Sequence, residues 1–283
     1  MTQTLTDIKR LLEDHGLSPK KALGQNFLVD QNLVRKLVEA SGVRAGDVVL
    51  EVGPGTGVLT ETLLDAGARV IACELDSALA GLLRDRLGGH AGFTLVEGDC
   101  LARKTALNPE LIERLGERPF RLVANLPYAC ATPLMMTLLT QYPNCSGLFV
   151  TIQREVADRL LAGPADAKAY GAISVVAQAL TATERVATLP PECFWPRPDV
   201  TSAMIALRRR PDPLEPDPAR WVDLGARASD LFAQRRKQLG SILKRLGAPA
   251  TPLPAGVGPS QRPEELTVAQ LAELCRALAP TRA

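Results

Sequence analysis

The stretch Glu51-Val-Gly53-Pro-Gly55-Thr-Gly57 closes an apolar run at 48–52 and leads into a segment with apolar residues at helical spacing. A glycine-rich turn between a strand and a helix is typical of parallel α/β sheets that bind nucleotide-like ligands. Glycine suits such a turn because the absence of a Cβ atom lets backbone and ligand approach closely. The stretch therefore predicts an α/β fold with a ligand site at the end of this strand.

Strand and helix patterns alternate on both sides of the turn. Apolar runs that predict strands are separated by helical segments, and a helix capped by Asp30 precedes the first of them. This alternation predicts a parallel sheet with helices on both faces, and two later runs predict a closing pair of strands. The predicted strands are 48–52, 69–73, 93–96, 121–125, 147–152, 184–189 and 203–208.

Acidic residues near the glycine turn indicate which ligand it holds. Glu51 stands directly before the glycines, and Glu74 follows the next predicted strand. A dinucleotide site uses amides to bind pyrophosphate, whereas S-adenosylmethionine carries a sulfonium and an ammonium, which a carboxylate suits. Glu74 lies where an acidic residue accepts hydrogen bonds from the two ribose hydroxyls, both in dinucleotide sites and in S-adenosylmethionine sites. We therefore expect S-adenosylmethionine against Glu51, Gly53, Gly55 and Glu74; a tight strand–helix turn without a ligand is the alternative.

Asp99 follows the third predicted strand of this series. Open α/β sheets bind ligands at the carboxyl ends of their strands, so Asp99 is a candidate acceptor for the adenine amino group of the cofactor. Its alternative role is a helix N-cap.

The tetrapeptide Asn125-Leu126-Pro127-Tyr128 suggests the reaction. An amino group on adenine is a poor nucleophile because its lone pair is delocalised into the ring. The Asn125 side-chain oxygen and the Leu126 carbonyl could accept both amino hydrogens, which would turn the lone pair toward a methyl donor. Pro127 stiffens this turn, and Tyr128 can stack on the base. The alternative is a plain strand-end turn with a packed tyrosine.

Three further segments are candidates for substrate contact. The segment at 20–28, with Lys20 and Lys21, fits a lid over the cofactor with its lysines facing phosphate; a helix lead-in is the alternative. The loop at 193–198 offers Phe194 as a second face for the base and Arg197 for phosphate, although such a phenylalanine is often core. The segment 231–237 predicts a basic helix start, with Arg235, Arg236 and Lys237 as RNA contacts.

The proline-rich stretch at 208–218 indicates a domain boundary. We predict a ligand-binding domain with its N-terminal lid at 1–208, and a small all-helical domain at 209–283. The segment from Arg208 to Arg245 contains ten Lys/Arg and five Asp/Glu. This local excess of positive charge favours a phosphate-binding surface, although the net charge of the whole chain is only +2. A solvated helix face is the alternative. The helical patterns of the second domain are 219–233, 234–247 and 267–278.

Composition argues against several other classes of protein. An apolar content of 46% with 23% charged residues is typical of a globular protein. The polar start lacks the apolar core of a secretory signal, and no apolar run could span a bilayer, so we expect a cytoplasmic protein without a membrane partner. The six cysteines form no CxxC pair and only two histidines accompany them, so no metal site is expected. No feature demands a second copy, and we expect a monomer.

Taken in order, these segments resemble the ribosomal small-subunit RNA adenine N6-dimethyltransferases over nearly the whole chain. The combination of NLPY with GQNFL and QRRK is specific to that family, whereas many methyltransferases share the glycine turn. The segments that carry the resemblance are LGQNFLVD (23–30), EVGPGTG (51–57), CELD (73–76), EGD (97–99), NLPY (125–128), QREV (153–156), YGAISV (170–175), FWPRPDVTSA (194–203) and QRRK (234–237).

The resemblance implies a Rossmann-like class I methyltransferase sheet with helices on both faces, plus a small all-helical C-terminal domain. It also implies a flipped adenine against Tyr128 and two methyl transfers to each of two adjacent adenosines near the 3′ end of 16S rRNA, in an assembled or maturing small ribosomal subunit. Thr201 departs from the family, which usually has an acid there, and Ala129-Cys130-Ala131 is less polar than usual. The implied donor contacts are Asn26, Leu28, Gly53, Glu74, Asp99 and Asn125.

Three other functions remain as alternatives. The 23S rRNA adenine methyltransferases that confer macrolide resistance use the same catalytic logic, and the features that discriminate against them are NLPY, where they have isoleucine at the position of Leu126, and the QRRK segment. A ribosome-assembly factor that retains the fold would need neither Asn125 nor Tyr128. A nicotinamide oxidoreductase is disfavoured because no histidine or lysine arrangement for hydride transfer is present.

Overall fold

The computed structural model describes residues 3–278, which contain one seven-stranded sheet and two short strand pairs. The strands in these residues are β1 Phe27–Leu28, β2 Val48–Val52, β3 Arg69–Glu74, β4 Phe93–Glu97, β5 Leu101–Arg103, β6 Ala106–Leu107, β7 Phe120–Asn125, β8 Cys145–Gln153, β9 Thr181–Leu189, β10 Phe194–Trp195 and β11 Ser202–Arg209. The large sheet has the order β4-β3-β2-β7-β8-β11-β9, β1 pairs with β10, and β5 pairs with β6.

Helices connect most of these strands. Asp30 begins α2 as predicted, because its side chain accepts hydrogen bonds from the amides of Asn32 and Leu33. Among the described residues, no helix combines the length and the apolar character needed to cross a membrane. The α-helices are α1 Leu5–Asp14, α2 Gln31–Ser41, α3 Val58–Asp65, α4 Ser77–Leu87, α5 Pro109–Leu115, α6 Tyr128–Gln141, α7 Arg154–Leu161, α8 Ala172–Leu180, α9 Trp221–Phe232, α10 Leu239–Arg245 and α11 Val268–Ala277.

The strand β2 lies at the point where the strand order of the sheet reverses. It pairs in parallel with β3 on one side and with β7 on the other. Every residue of β2 is buried, as expected for a strand that is covered on both faces. Connections that leave β2 and β7 toward opposite sides open a crevice at their carboxyl ends, where ligands bind in sheets of this kind.

The seven predicted strands are confirmed, and they form the seven-stranded sheet. The helical pattern predicted over 234–247 is wrong in its first part, because residues 233–238 form a turn and α10 begins only at Leu239. The predicted basic helix start at 231–237 therefore lies mostly in this turn, after the end of α9. The short pairs β1–β10 and β5–β6 were not predicted, because strands of two or three residues leave no periodic pattern.

The described residues form two compact units. The first holds the chain up to Met135 together with Asn144–Arg154 and Arg185–Ala206. The second holds Met136–Pro143, Glu155–Glu184 and the chain from Leu207 onward, so it includes segments that precede the predicted boundary at 208. Inside the second unit, the Tyr170 and Phe232 rings meet edge to face and the Arg209 guanidinium lies over the Trp221 ring. The prediction of a separate RNA-binding domain at 209–283 stays a prediction.

Candidate functional site

A cavity of about 1010 Å³ opens at the carboxyl ends of β2, β3 and β7. Both decisive sequence segments line it, the glycine turn after β2 and the Asn125–Tyr128 turn after β7. The cavity belongs entirely to the first unit. The predicted site residues that line it are Lys21, Asn26, Leu28, Glu51, Gly53, Gly55, Glu74, Asp99, Asn125, Leu126, Pro127 and Tyr128.

Two glycines of the turn are required by close packing as well as by backbone conformation. Gly53 has φ of 69°, and a Cβ atom there would meet Pro127 Cγ at 2.9 Å. Gly55 has φ of 60°, and its Cβ would meet the Phe27 ring at 2.8 Å. Any other residue would be strained at these φ values and would collide with its neighbours. The glycine turn is therefore in direct contact with both the Asn125–Tyr128 turn and the lid.

Glu74 is anchored at the end of β3 by two backbone amides. Its Oε2 accepts a hydrogen bond from Gly55 N at 3.1 Å, and its Oε1 accepts one from Asp76 N at 2.9 Å. The side chain is buried, and this burial raises its pKa in spite of the two amides. Each oxygen keeps a second lone pair, so Glu74 can still accept hydrogen bonds from a diol such as that of ribose.

Glu51 is the more deeply buried of the two glutamates, with 2% of its surface exposed. Its Oε2 accepts a hydrogen bond from Thr60 Oγ1 at 2.7 Å. Burial and, to a smaller extent, the neighbouring Glu74 raise the pKa of Glu51 to about 8, although the hydrogen bond from the Thr60 hydroxyl opposes this rise. Glu51 is therefore mostly protonated at pH 7 in the ligand-free protein, and a cation in the cavity would favour its ionised form.

The lid is fastened to the cavity at both of its ends. Near its start, Asp76 accepts hydrogen bonds from Lys20 Nζ and Gln25 Nε2, each at 2.8 Å. Near its end, Asn125 Nδ2 donates to Asn26 O at 2.9 Å. Asp76 also caps α4 through the amide of Ala78, and only 3% of its side chain is exposed. The Asp76 carboxylate thus joins the lid to α4, and the backbone amide of the same residue donates to Glu74.

The turn after β7 leaves two oxygens without a protein donor. Within the described part of the chain, no hydrogen bond reaches Asn125 Oδ1 or the Leu126 carbonyl, although Asn125 Nδ2 and Leu126 N are both engaged. The next polar group, Tyr128 Oη, lies 2.8 Å from Ser202 Oγ, and burial raises the pKa of this tyrosine. The hydroxyl contact fixes the ring at the cavity wall.

Asp99 lies on the exposed side of the cavity. Its Oδ1 accepts a hydrogen bond from Leu101 N at 2.9 Å, at the start of β5. It therefore caps a hairpin and does not cap a helix, which was the alternative role suggested by the sequence. Its second oxygen has no donor among residues 3–278 and is available to a ligand.

Phe194 lies outside the cavity lining. It belongs to β10, pairs with Leu28 of β1, and has 4% of its surface exposed within the hydrophobic core. The arrangement makes Phe194 a support for the lid strand. A role as the second face for a base requires this side chain to leave the core, and it stays a prediction.

The predicted RNA contacts differ in whether their charges are paired with a carboxylate or exposed to solvent. Lys20 is ion-paired with Asp76 at 2.8 Å, and Arg197 is ion-paired with Glu192. In the second unit, Arg235 donates to Lys168 O at 3.1 Å and lies 3.8 Å from a Glu264 oxygen. Arg236 and Lys237 are exposed in the turn before α10. Arg235 is therefore engaged in contacts within the second unit, whereas the charges of Arg236 and Lys237 are more accessible to a ligand.

Several residues that line the cavity or contact its lining were not identified from the sequence. Gln25, Asp76 and Ser202 lie inside segments quoted for the family resemblance, but their roles depend on contacts with residues far away in the chain. Arg103 and Lys104 line the cavity from a hairpin too short to predict. Among the described residues, no group of histidine, cysteine, aspartate and glutamate side chains is arranged to hold a metal ion.

Comparison with known proteins relates this geometry to a family. A family model described as "Ribosomal RNA adenine dimethylase" matches residues 16–279. A protein of Phenylobacterium zucineum, named "Ribosomal RNA small subunit methyltransferase A", is 42% identical over 268 residues, covering 94% of this chain and 90% of the relative. A protein of the same name from Magnetococcus marinus is 42% identical over 285 residues and covers 98% of both chains.

Solved structures share the fold. A dimethyladenosine transferase from Plasmodium falciparum superimposes with a TM-score of 0.68 at 22% identity, over 87% of this chain and 94% of that one. The 23S rRNA methyltransferase ErmE superimposes with a TM-score of 0.65 at 27% identity, over 89% of this chain and 99% of that one.

Proposed function

Because the chain belongs to the ribosomal RNA adenine dimethylase family, we propose that it transfers methyl groups from S-adenosylmethionine to adenosine N6 atoms in the RNA of the small ribosomal subunit. The targets that fit the resemblance are two adjacent adenosines near the 3′ end of 16S rRNA, each methylated twice. Methylation of these adenosines would give the protein a role in ribosome biogenesis.

The chemistry of the cavity fits this methyl donor. When bound, S-adenosylmethionine supplies an electrophilic methyl group on a positively charged sulfur. Glu51 gives the cavity a buried carboxylate that a cation would ionise, and Glu74 offers oxygens for the ribose diol. Asp99 has a free oxygen for the adenine amino group, and the lid residues Asn26 and Leu28 close the cavity.

The turn after β7 would activate the acceptor amine. Asn125 Oδ1 and the Leu126 carbonyl lack protein donors, so they can accept the two hydrogens of an adenine amino group. Accepting both hydrogens withdraws the nitrogen lone pair from the ring and directs it away from the two oxygens. No catalytic base is needed, because a methylated ammonium is acidic enough to release its proton to water.

Positioning would supply much of the rate. Pro127 packs against Gly53, so the acceptor turn and the donor turn touch, and this contact is the observation that carries the proposal. Tyr128, held by Ser202, can stack on the flipped base, a contact typically worth ~1–3 kcal/mol. Alignment of two reactants within one site can contribute roughly 7–11 kcal/mol to lowering a barrier.

We also propose Lys21, Arg236 and Lys237 as contacts to RNA phosphate, since their charges are exposed. Lys20, Arg197 and Arg235 would contact RNA only if they exchanged their present ion-pair partners. Because the substrate is a ribosomal subunit, we propose that the protein works in the cytoplasm, and that it does so as a monomer, which light scattering would test.

The decisive test is methylation of separated ribosomal subunits. Purified protein with methyl-labelled donor should label isolated small subunits and leave large subunits unlabelled, and analysis of the RNA should show N6-dimethyladenosine. Label found only in large-subunit RNA would assign the protein to the 23S rRNA activity named for ErmE. Binding of small subunits without any label would favour an assembly factor.

A further inference from the structure

Three exposed cations line the mouth of the cavity. Lys21 comes from the lid, Arg103 ends β5, and Lys104 follows it at the tip of the β5–β6 hairpin. Within residues 3–278, none of the three side chains has a hydrogen-bond or ion-pair partner. Their charges are therefore not neutralised by the protein.

Neighbouring cations of the same unit are neutralised. Lys20 lies 2.8 Å from Asp76, and Arg84 lies 3.0 Å from Glu97. Arg197 is paired with Glu192 although both side chains are more than half exposed. The charges of Lys21, Arg103 and Lys104 are thus unpaired among the described residues, unlike those of Lys20, Arg84 and Arg197, and all three residues line the candidate site.

The hairpin that carries two of these cations is fixed to the cavity. Asp99 Oδ1 accepts from Leu101 N, and Asn108 Nδ2 donates to Asp99 O, both at 2.9 Å. A third bond joins Asn108 N to Cys100 O, also at 2.9 Å. These bonds tie both strands of the hairpin to the Asp99 turn, so Arg103 and Lys104 are held beside the cavity by its own wall.

The methyl donor offers no phosphate for these cations to bind. S-adenosylmethionine has no phosphate, and its one carboxylate belongs to the methionine end, away from the adenine amino group assigned to Asp99. An RNA strand that presents a flipped adenosine carries a phosphate on each side of that nucleoside. Phosphate contacts of this kind position a nucleic acid without reading its sequence.

We propose that Lys21, Arg103 and Lys104 form a phosphate-binding rim that holds the RNA backbone next to the target adenosine. The rim deepens the proposed function and rests on it. It binds single-stranded RNA from two separate segments, the lid and the hairpin, while the cavity between them receives the base.

The test removes the two hairpin charges together. Arg103→Gln with Lys104→Gln replaces each cation with a neutral polar side chain, and thermal unfolding checks that the variant is folded. The matched control is Lys36→Gln with Arg69→Gln, which removes two exposed charges that do not line the cavity. Binding of each protein to isolated small subunits is measured between 50 and 200 mM potassium chloride, and donor affinity is measured separately.

Loss of two phosphate contacts should reduce the magnitude of the slope of log K against log salt by about 1.4–1.8. The affinity penalty at 50 mM salt should then be about tenfold larger than at 200 mM. Donor affinity should stay within twofold, and the control should keep the wild-type slope. Adding Lys21→Gln should lower the slope again by about 0.7–0.9.

An unchanged slope in the hairpin variant would overturn the rim and leave these charges merely solvated. A parallel loss of donor affinity would overturn it as well, because the hairpin would then serve the donor. If wild-type protein binds small subunits through these charges but transfers no methyl group, the proposed function fails, and Lys21, Arg103 and Lys104 remain RNA contacts without a target adenosine. If methylation proceeds and the slope does not change, the rim alone fails.

Discussion

The two walls of the cavity differ in how fully the protein satisfies their polar groups. The carboxylate wall, formed by Glu51 and Glu74, is buried, and each side chain accepts at least one hydrogen bond from the protein. The amide–aromatic wall, formed by Asn125, Leu126 and Tyr128, keeps two oxygens without donors among the described residues.

This difference indicates how the two substrates would be handled. A wall whose carboxylates are already held by amides and hydroxyls changes little when a small ligand arrives, which limits the entropy lost on binding. A wall with free acceptors is incomplete until an amine supplies the hydrogens. A ligand that displaces water from these acceptors without donating to them leaves them unpaired, so the second wall would bind a group that donates two hydrogen bonds better than one that donates none. Under the proposed function, the cavity would thus combine a prepared donor site with a selective acceptor site.

The largest expected effect concerns the amide–aromatic wall. Asn125→Ala should lower turnover by at least about a hundredfold, because it removes an acceptor that acts on the reacting amine. Donor affinity should remain within a few-fold, since the Asn125 side chain contacts the lid through only one hydrogen bond. Single-turnover methylation of small subunits measures the first quantity, and calorimetry measures the second.

Two variants sharpen this result. Asn144→Ala removes an amide that bonds to Gly116 O and Arg118 O outside the cavity, and it should retain wild-type turnover per folded molecule. Asn125→Asp keeps acceptor oxygens, loses the bond to Asn26, and should retain partial activity. Near wild-type turnover in Asn125→Ala would disprove the proposed amine activation.

A smaller effect tests the carboxylate wall through pH. The pKa of Glu51 is about 8 in the folded protein against a reference of 4.5, so the folded state holds a proton that the unfolded state releases. The contribution of Glu51 to stability therefore falls by about 1.4 kcal/mol for each pH unit between about 4.5 and 8. Burial also raises the pKa of Glu74, but this residue is unchanged when wild-type protein is compared with a Glu51 variant.

Glu51→Gln removes this dependence while keeping an acceptor for Thr60. The melting temperature of the ligand-free variant should exceed that of the wild type by more at pH 8.5 than at pH 5.5. Its donor affinity should fall most at pH 8.5, where the wild-type carboxylate is ionised. A difference in melting temperature that is constant across this range would show that Glu51 is not protonated in the folded protein.

The smallest effect concerns the lid. Lys20→Met removes the ion pair to Asp76, and Asp76→Asn removes it from the other side while an Asn oxygen can still cap α4. Each change should raise the donor dissociation rate a few-fold, because a partly exposed ion pair contributes about 1 kcal/mol or less. Stopped-flow dissociation measures the rates.

The double variant of Lys20 and Asp76 should dissociate little faster than Asp76→Asn alone, because the Asp76 change already removes the ion pair to Lys20. Lys36→Met, which removes an exposed lysine outside the cavity, is the matched control and should leave the dissociation rate unchanged. Additive effects of the two single changes would mean that Lys20 and Asp76 act separately.

The sequence was sufficient for the parts of the molecule that have a local pattern. Long apolar strands, the cap at Asp30 and the glycine turn follow from residue spacing, because burial and backbone conformation impose the same periods on sequence and structure. The cavity walls were also predicted in outline. Parallel strands end at one edge of a sheet, which brings Glu51, Glu74 and Asn125 together.

Contacts between distant segments were not predictable in the same way. Nothing in the local sequence of Asp76 indicates that it fastens Lys20 and Gln25, which lie 56 and 51 residues away. Phe194 was considered for the base site because of its aromatic loop, but its pairing with Leu28 depends on the lid strand. The basic segment at 231–237 has helical spacing, yet the chain turns there after Phe232.

The packing of Pro127 against Gly53 has a consequence for protein engineering. The glycine turn and the turn after β7 are packed against each other. A chimera that takes only one of these loops from another transferase would therefore lose the complementary packing between them. Grafts that exchange both loops together should tolerate far more foreign sequence than grafts of either loop alone. Directed evolution of new base specificity should accordingly randomise the two segments in one library.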